Sequence, residues 1–577
     1  MIPALIRRWP LLRAGPLAAV PLTLAIALGG SVGLGLLFLI LPAFGHLPAL
    51  GHPGFDLAPL RAVLAYPGIG RACATTLFAG FVSTLVALGL GLGLVAVLDP
   101  LGIGARPGAR WLRRVMLSLI ATPHVAMAIG LAFLLAPSGW LLRLLAIPLA
   151  LDRPPDFLFV NDRAGLALVL GLVVKETPFI IAVALSALHR IDGAATLRVG
   201  LSLGYQAPIA WMKILLPVLY RLIRLPIFAV LAYGLSVVDM SIVLGPGLPP
   251  TLPVLILRLI DDPDLTNRLI AAGAGLLQIA LVAAAFLGWR AGELLAARLW
   301  HRAVIGGRRA VPMPIRVATQ TLILGAGTLL AGLGLLALVG IALWSITDVW
   351  RFPDPLPPLV GLAAWSHAFA GITTPLRDSL LIAGTSAAIA LAASIACLEC
   401  EDRIGHAAGR RGQWVLFLPL FAPEMGFLFG LEIALGTIGA TGTFPAVLWF
   451  HMLFVFPYVF LTLSEPWRAL DPRLIRTARC LGAGRWRVLL SVKVPLLKAS
   501  LALSAAVGVA VSLSLYLPTV LAGAGRVTTL ATESVVLYGG GDRRVLGVYA
   551  LIQVALAAAV FAAAVVAGRP RCFAGPA

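Results

Sequence analysis

Runs of about twenty or more residues without a single charged side chain recur along this sequence, at 72–98, 115–142, 269–289, 317–347, 379–398, 433–464, 499–525 and 545–568. A helix rises about 1.5 Å per residue, so each run is long enough to cross the roughly 30 Å of hydrocarbon in a bilayer. Only 12% of the 577 residues are charged and the mean hydropathy is +1.00, whereas soluble domains carry about 25% charged residues. Closed barrels also satisfy every backbone group in lipid, but they are built from alternating segments of about ten residues, a pattern this chain lacks. The expected fold is all-α, with twelve spans near 17–40, 72–98, 115–135, 165–188, 222–245, 269–289, 317–346, 379–398, 414–436, 444–464, 500–522 and 545–568.

Twelve spans place the connecting loops alternately on two sides. One set (1–16, 99–114, 189–224, 290–316, 399–413, 465–499 and 568–577) holds 31 Lys and Arg and 8 acids, and the other holds 12 of each. Lys and Arg accumulate on the cytoplasmic side, so the first set and both termini are expected there. The net charge of +20 then reports topology. A nucleic-acid partner would need the basic residues gathered on a soluble face, and no soluble domain exists to carry one. Arg7, Arg8 and Arg13 precede an apolar run as in a secretory leader, but the run is long enough to span and no small-residue cleavage site closes it, so a retained first helix is expected. Cys397 and Cys400 form a lone Cys-x-x-Cys without a second pair, and no metal site is expected from it.

The chain repeats itself. "TTLFAG" (75–80) parallels "SLLIAG" (379–384), and "TPHVAMAIGL" (122–131) parallels "APEMGFLFGL" (422–431), with proline and glycine seven apart in both. Pro178 and Pro457 each precede an aspartate, Asp192 or Asp471, by fourteen residues. Gly204 and Gly482 each precede a proline, Pro217 or Pro495, by thirteen. Two homologous six-helix halves follow, 1–295 and 317–577, joined by a basic cytoplasmic linker over 296–316 with Gly306, Gly307, Pro312 and Pro314 as breakers.

Each half carries a large loop between its fourth and fifth spans. In the second, Asp471 and Pro472 read as N-cap and first helical residue, and Gly482 as a left-handed C-cap. Leu474, Ala478 and Leu481 form one stripe of the intervening helix, and Arg473, Arg476 and Arg479 another. Trp486, Leu489, Leu490 and Val494 predict a second helix along the membrane surface, with Pro495 at the entry to the next span. The first loop repeats the plan with Asp192, Gly204, Trp211, Ile214, Leu216 and Pro217.

The pair of loops resembles those of the permease subunits of binding-protein-dependent ABC importers of the type I fold. Their signature is Glu-Ala-Ala, three residues, Gly, nine residues, Ile, one residue, Leu-Pro. Gly204, Ile214, Leu216 and Pro217 match it fully, and Gly482, Val492, Val494 and Pro495 conservatively. The aligned starts read Arg198, Val199, Gly200 and Arg476, Thr477, Ala478, so both loops carry arginine where the family has glutamate. The resemblance covers about 72–290 and 377–567, and is similar to the fused double permeases of ferric-iron, thiamine and related importers. It implies an inner-membrane permease with coupling loops docked on two copies of a separate ABC ATPase, which uses ATP and Mg, and a solute-binding protein outside the cytoplasm. It implies no cofactor on this chain.

A Walker A loop needs Gly-Lys-Ser/Thr, and the four lysines (Lys175, Lys213, Lys493 and Lys498) follow Val, Met, Val and Leu, so no ATPase lies within the chain. No nucleophile-and-base set is apparent, and an enzyme is not expected. Five charges fall inside spans: Lys175, Glu176, Asp239, Glu424 and Glu432. Each costs about 2.5–3.5 kcal/mol to insert and is a candidate for the solute pathway. Lys175 and Glu176 fit helix packing equally well, Lys175 by pairing with a carboxylate; Asp239 and Glu424 lie beside helix-bending residues. Twelve spans in two halves also describe a major facilitator, a proton-coupled secondary transporter, and "DRIGHAAGRR" (402–411) resembles that family's loop signature. It carries an extra "HAAG" and follows the eighth span instead of the second.

Overall fold

The computed structural model describes residue 17 and residues 19–98, 107–405, 410–540 and 542–569. The loop residues 1–16, 99–106 and 570–577, and residues 406–409 of the facilitator-like run, lie outside the described residues. The principal helices are α1 (Ala19–Ala43), α2 (Ile69–Leu98), α3 (Pro107–Leu119), α4 (His124–Leu135), α5 (Leu166–Arg190), α6 (Gly193–Ser202), α7 (Leu216–Ser236), α8 (Asp239–Leu244) and α9 (Asn267–Ile305). The second half contributes α10 (Met313–Ser345), α11 (Thr373–Ile404), α12 (Arg410–Phe421), α13 (Glu424–Thr437), α14 (Phe444–Arg468), α15 (Pro472–Cys480), α16 (Lys498–Ser514), α17 (Leu517–Gly523) and α18 (Arg543–Gly568). Among the described residues, ten helices are long and apolar enough to span a membrane, or twelve if two bent pairs each count as one.

The fold departs from twelve straight rods. The ninth span is bent by 108° between α12 and α13. The third, fifth and eleventh are interrupted at 120–123, 237–238 and 515–516. Pro123 and Pro423 sit at the N-caps of α4 and α13 with extended ψ of 147° and 125°. Proline has no N–H to continue a helix and disfavours helical geometry in the residue before it. The linker is also shorter than 296–316: α9 runs on to Ile305 and α10 begins at Met313, so only 306–312 is irregular.

The two halves interleave. α1, the first span of the first half, packs against α13, the third-span segment of the second; α10 packs against α4 in the reciprocal arrangement. Lipid offers no hydrophobic drive between helices, so such crossings depend on close backbone approach at small residues. A Cβ at Gly430 would overlap the carbonyl oxygen of Gly35, and one at Gly130 would lie 2.7 Å from the carbonyl oxygen of Ala337. These are the glycines of the repeated proline-and-glycine motif, and the crossing explains them. On the side remote from the two large loops, the halves are stapled by Arg143, which is 3% exposed. Its guanidinium donates to the Arg351 carbonyl at 2.6 Å and stacks 4.9 Å from the Trp350 ring. A short antiparallel pair, Thr347–Val349 with Leu359–Val360, lies in the same region.

Gly430→Ala forces α1 and α13 apart and should cost about 1–3 kcal/mol, the usual range for overpacking. The loss is read as a lower unfolding midpoint of the purified protein. Gly436→Ala, at a position in the same helix with no atom within 4 Å of the added carbon, should leave the midpoint within error.

Candidate functional site

The four interruptions meet at the interface of the halves and enclose the apex of a cavity of about 590 Å³. Its walls run down the ends of α5 and α14 and along α16 toward the side bearing the two large loops. Lys175, Glu176, Asp239 and Glu424 all line it. Glu432, eight residues further along α13 than Glu424, does not; it faces Arg268 at 3.8 Å. His124 and Tyr233 pack together in the cavity wall with ring centroids 4.9 Å apart. Tyr458 and Tyr516 complete an aromatic lining that the sequence reading did not single out.

Each break frees backbone carbonyls that lipid cannot hydrate. The Lys175 ammonium answers the break after α3: it donates to the Thr122 carbonyl at 2.5 Å and to those of Leu119 and Ile120 at 3.4 Å. Lys175 thus fixes packing through carbonyls, not through the carboxylate partner expected from the sequence, and no described carboxylate comes within ion-pair distance of it. At the breaks after α7 and α16, two glutamines act alike. Gln278 donates to the Leu235 carbonyl at 2.6 Å and Gln553 to the Leu513 carbonyl at 2.8 Å. Both are fully buried. Sequence reasoning missed them, although "LLQIALVAAAF" (276–286) and "LIQVALAAAVF" (551–561) repeat with one amide in an apolar span.

The two large loops share an aspartate cap, a left-handed glycine turn and a π turn. The Asp192 carboxylate accepts the Ala195 N–H at 3.1 Å, and the Asp471 carboxylate accepts the Arg473 N–H at 2.8 Å. Gly204 and Gly482 have φ of 82° and 83°, a conformation open to glycine without strain. The next N–H then reaches back to close each helix, Tyr205 to the Gly200 carbonyl at 3.2 Å and Ala483 to that of Ala478 at 3.0 Å. Before Pro217 and Pro495 the helix widens into a π turn, Trp211–Leu215 and Leu489–Lys493, carrying Ile214 and Val492. Proline's ring collides with the carbonyl four residues back, and the wider turn accommodates it. Leu216 and Pro217 then open α7, whereas Arg485–Leu496 meets α16 at 78°. Arg198 and Arg476 are exposed. The stripe read from the sequence is rotated: Ile475 and Ala478 face inward, while Leu474 and Leu481 are 48% and 82% exposed.

Behind these shared turns the halves differ. Lys493, 2% exposed, donates to Glu399 and Asp402 of α11, each at 2.5 Å, and Trp467 also donates to Asp402 at 2.9 Å. Arg403 bonds Glu399 at 3.1 Å and stacks on Trp486. In the first half the linker fills this role: Gln206 donates to the Arg309 carbonyl at 2.9 Å and accepts the Val311 N–H at 3.1 Å. Lys493→Met removes the ammonium shared by the buried Glu399 and the partly exposed Asp402 and should cost about 3 kcal/mol of stability; adding Glu399→Gln should recover part of it in a thermal unfolding series. Lys175→Met, which orphans carbonyls only, should cost about 1–3 kcal/mol in the same assay.

Among the described residues, no three His, Cys, Asp or Glu side chains come together in a way that could hold a metal ion. The chain matches no family model. Over 521 residues it is 32% identical to the inner membrane ABC transporter permease protein YnjC of Escherichia coli (strain K12), an alignment covering 88% of this chain and 90% of that protein. That extent of likeness, over a fold whose broken helices enclose an inter-half cavity, makes this chain a member of the inner membrane ABC transporter permeases.

Proposed function

We propose that this chain forms the translocation pathway of an ATP-driven importer and draws its energy from two copies of a separate ABC ATPase. The observation that carries the reading is the paired loop geometry. Two short helices, each fixed by an aspartate cap and a left-handed glycine turn, lead through a π turn to the span that breaks at the cavity, directly in the first half and across a 78° bend in the second. A push on either helix is thereby delivered to the walls of the solute site. The exposed apolar residues Val199, Leu203, Leu474, Leu481 and Trp486 give a partner subunit surface to cover.

Lys and Arg asymmetry supports placing these loops and both termini in the cytoplasm. The cavity then faces inward, and solute arrives from outside, delivered by a binding protein. ATP binding draws the two ATPase copies together, the loop helices follow, and the cavity opens outward. The loop signature favours a small cationic solute of the ferric-iron or thiamine kind.

The test is ATP hydrolysis by the assembled complex with solute-loaded binding protein. Gly204→Pro or Gly482→Pro cannot adopt the positive φ of its turn and should reduce stimulated hydrolysis to the basal rate. Gly484→Ala, where an added carbon meets nothing within 4 Å, should retain it. Unchanged stimulation in the proline variants would sink the coupling role.

A further inference from the structure

The charges at the apex of the cavity are unequal in what they have left to offer a solute. Lys175 is the one lysine there, and its ammonium is already turned to three backbone carbonyls. Glu176 and Glu424 accept no hydrogen bond from any described residue, and Asp239 accepts one, from the N–H of Met240. Glu176 and Asp239 are each 7% exposed, so water does not screen them well. Two further polar groups are buried without partners in the same wall, the Ser236 and Tyr233 hydroxyls.

Three carboxyl groups against one lysine already committed to carbonyls favour a cation over an anion as the occupant. A bare metal ion fits poorly as well, because it needs several donors converging on one point, and no such group exists among the described residues. What surrounds the carboxylates is aromatic: the rings of Tyr233, Tyr458, Tyr516 and Phe454 line the cavity. Ring faces attract a cation whose charge is spread over an organic body, by about 2 kcal/mol where water is excluded.

Resting on the permease reading above, we propose that the cavity is itself a selective site for an organic cation. The cationic nitrogen sits among Glu176, Asp239 and Glu424, the organic body lies against the tyrosine rings, and the Ser236 hydroxyl is free to bond a polar substituent. Selection by charge then takes place within the membrane, in addition to any selection made by a binding protein.

The test is calorimetric titration of the purified full chain in lipid nanodiscs with three probes: phenyltrimethylammonium, benzoate and Mn2+. Phenyltrimethylammonium should bind saturably, with an affinity at least tenfold higher than either of the others. Asp239→Asn combined with Glu424→Gln should weaken it at least tenfold. Benzoate or Mn2+ binding as tightly as the quaternary amine, or no saturable binding of that amine to the unaltered chain, would overturn the proposal. Neither result depends on the loops, and the ATPase assay does not depend on the cavity, so the two readings fail separately.

Discussion

A helix that breaks inside a bilayer exposes carbonyls where no water can reach them, and this chain breaks four of its spans around one cavity. What makes that tolerable is a set of side-chain donors aimed at the freed oxygens. Lys175 caps the end of α3, and Gln278 and Gln553 cap the ends of α7 and α16. Without them the interruptions would close into continuous helix or draw in water. With them the spans can turn aside and leave a cavity between the halves. The cavity is thus a consequence of where the backbone is permitted to stop.

The interleaving of the halves serves the same end. Each first span crosses to the opposite half, α1 to α13 and α10 to α4, and so braces from outside the short helix that begins at a break. The glycines at these crossings let the backbones approach to a distance no other residue allows. A rearrangement that opened the cavity would therefore move a third-span segment of one half together with the first span of the other.

Much of this was legible in advance. The number of spans, the repeat, the aspartate caps and the two left-handed glycines follow from charge-free length and from turn chemistry that only certain residues satisfy. The breaks at Pro123 and Pro423 were visible as motifs, yet a span is read from its hydropathy, and hydropathy does not register a bend. Val237–Val238 carries no breaker at all; that interruption depends on Gln278, a donor 43 residues away. The roles of Lys175 and Glu432 were obscured for a related reason. Sequence gives the sign of a charge and not its partner, and the partners here are carbonyls for one and Arg268, on a different span, for the other.

The repeat constrains geometry more tightly than it constrains surface. Glycine turn and π turn recur in both loops at an offset of 278 residues, from Gly204 to Gly482 and from Trp211 to Leu489, and the aspartate cap at 279, from Asp192 to Asp471. The surroundings do not recur. α6 has the linker at its back, with Gln206 bridging Arg309 and Val311, while α15 buries no residue and presents Arg473, Arg476 and Arg479 to solvent. Two identical partner subunits would therefore meet unlike faces, one partly filled by the chain itself and one open and basic. The second segment is anchored instead from beneath, by Lys493 in its acidic seat on α11. The segment after α15 is therefore tied to α11, which packs against α14 and α16, whereas the segment after α6 is tied to the connection between the halves. The two loop segments are thus seated differently, one against the linker and one on α11, and that asymmetry belongs to the chain itself.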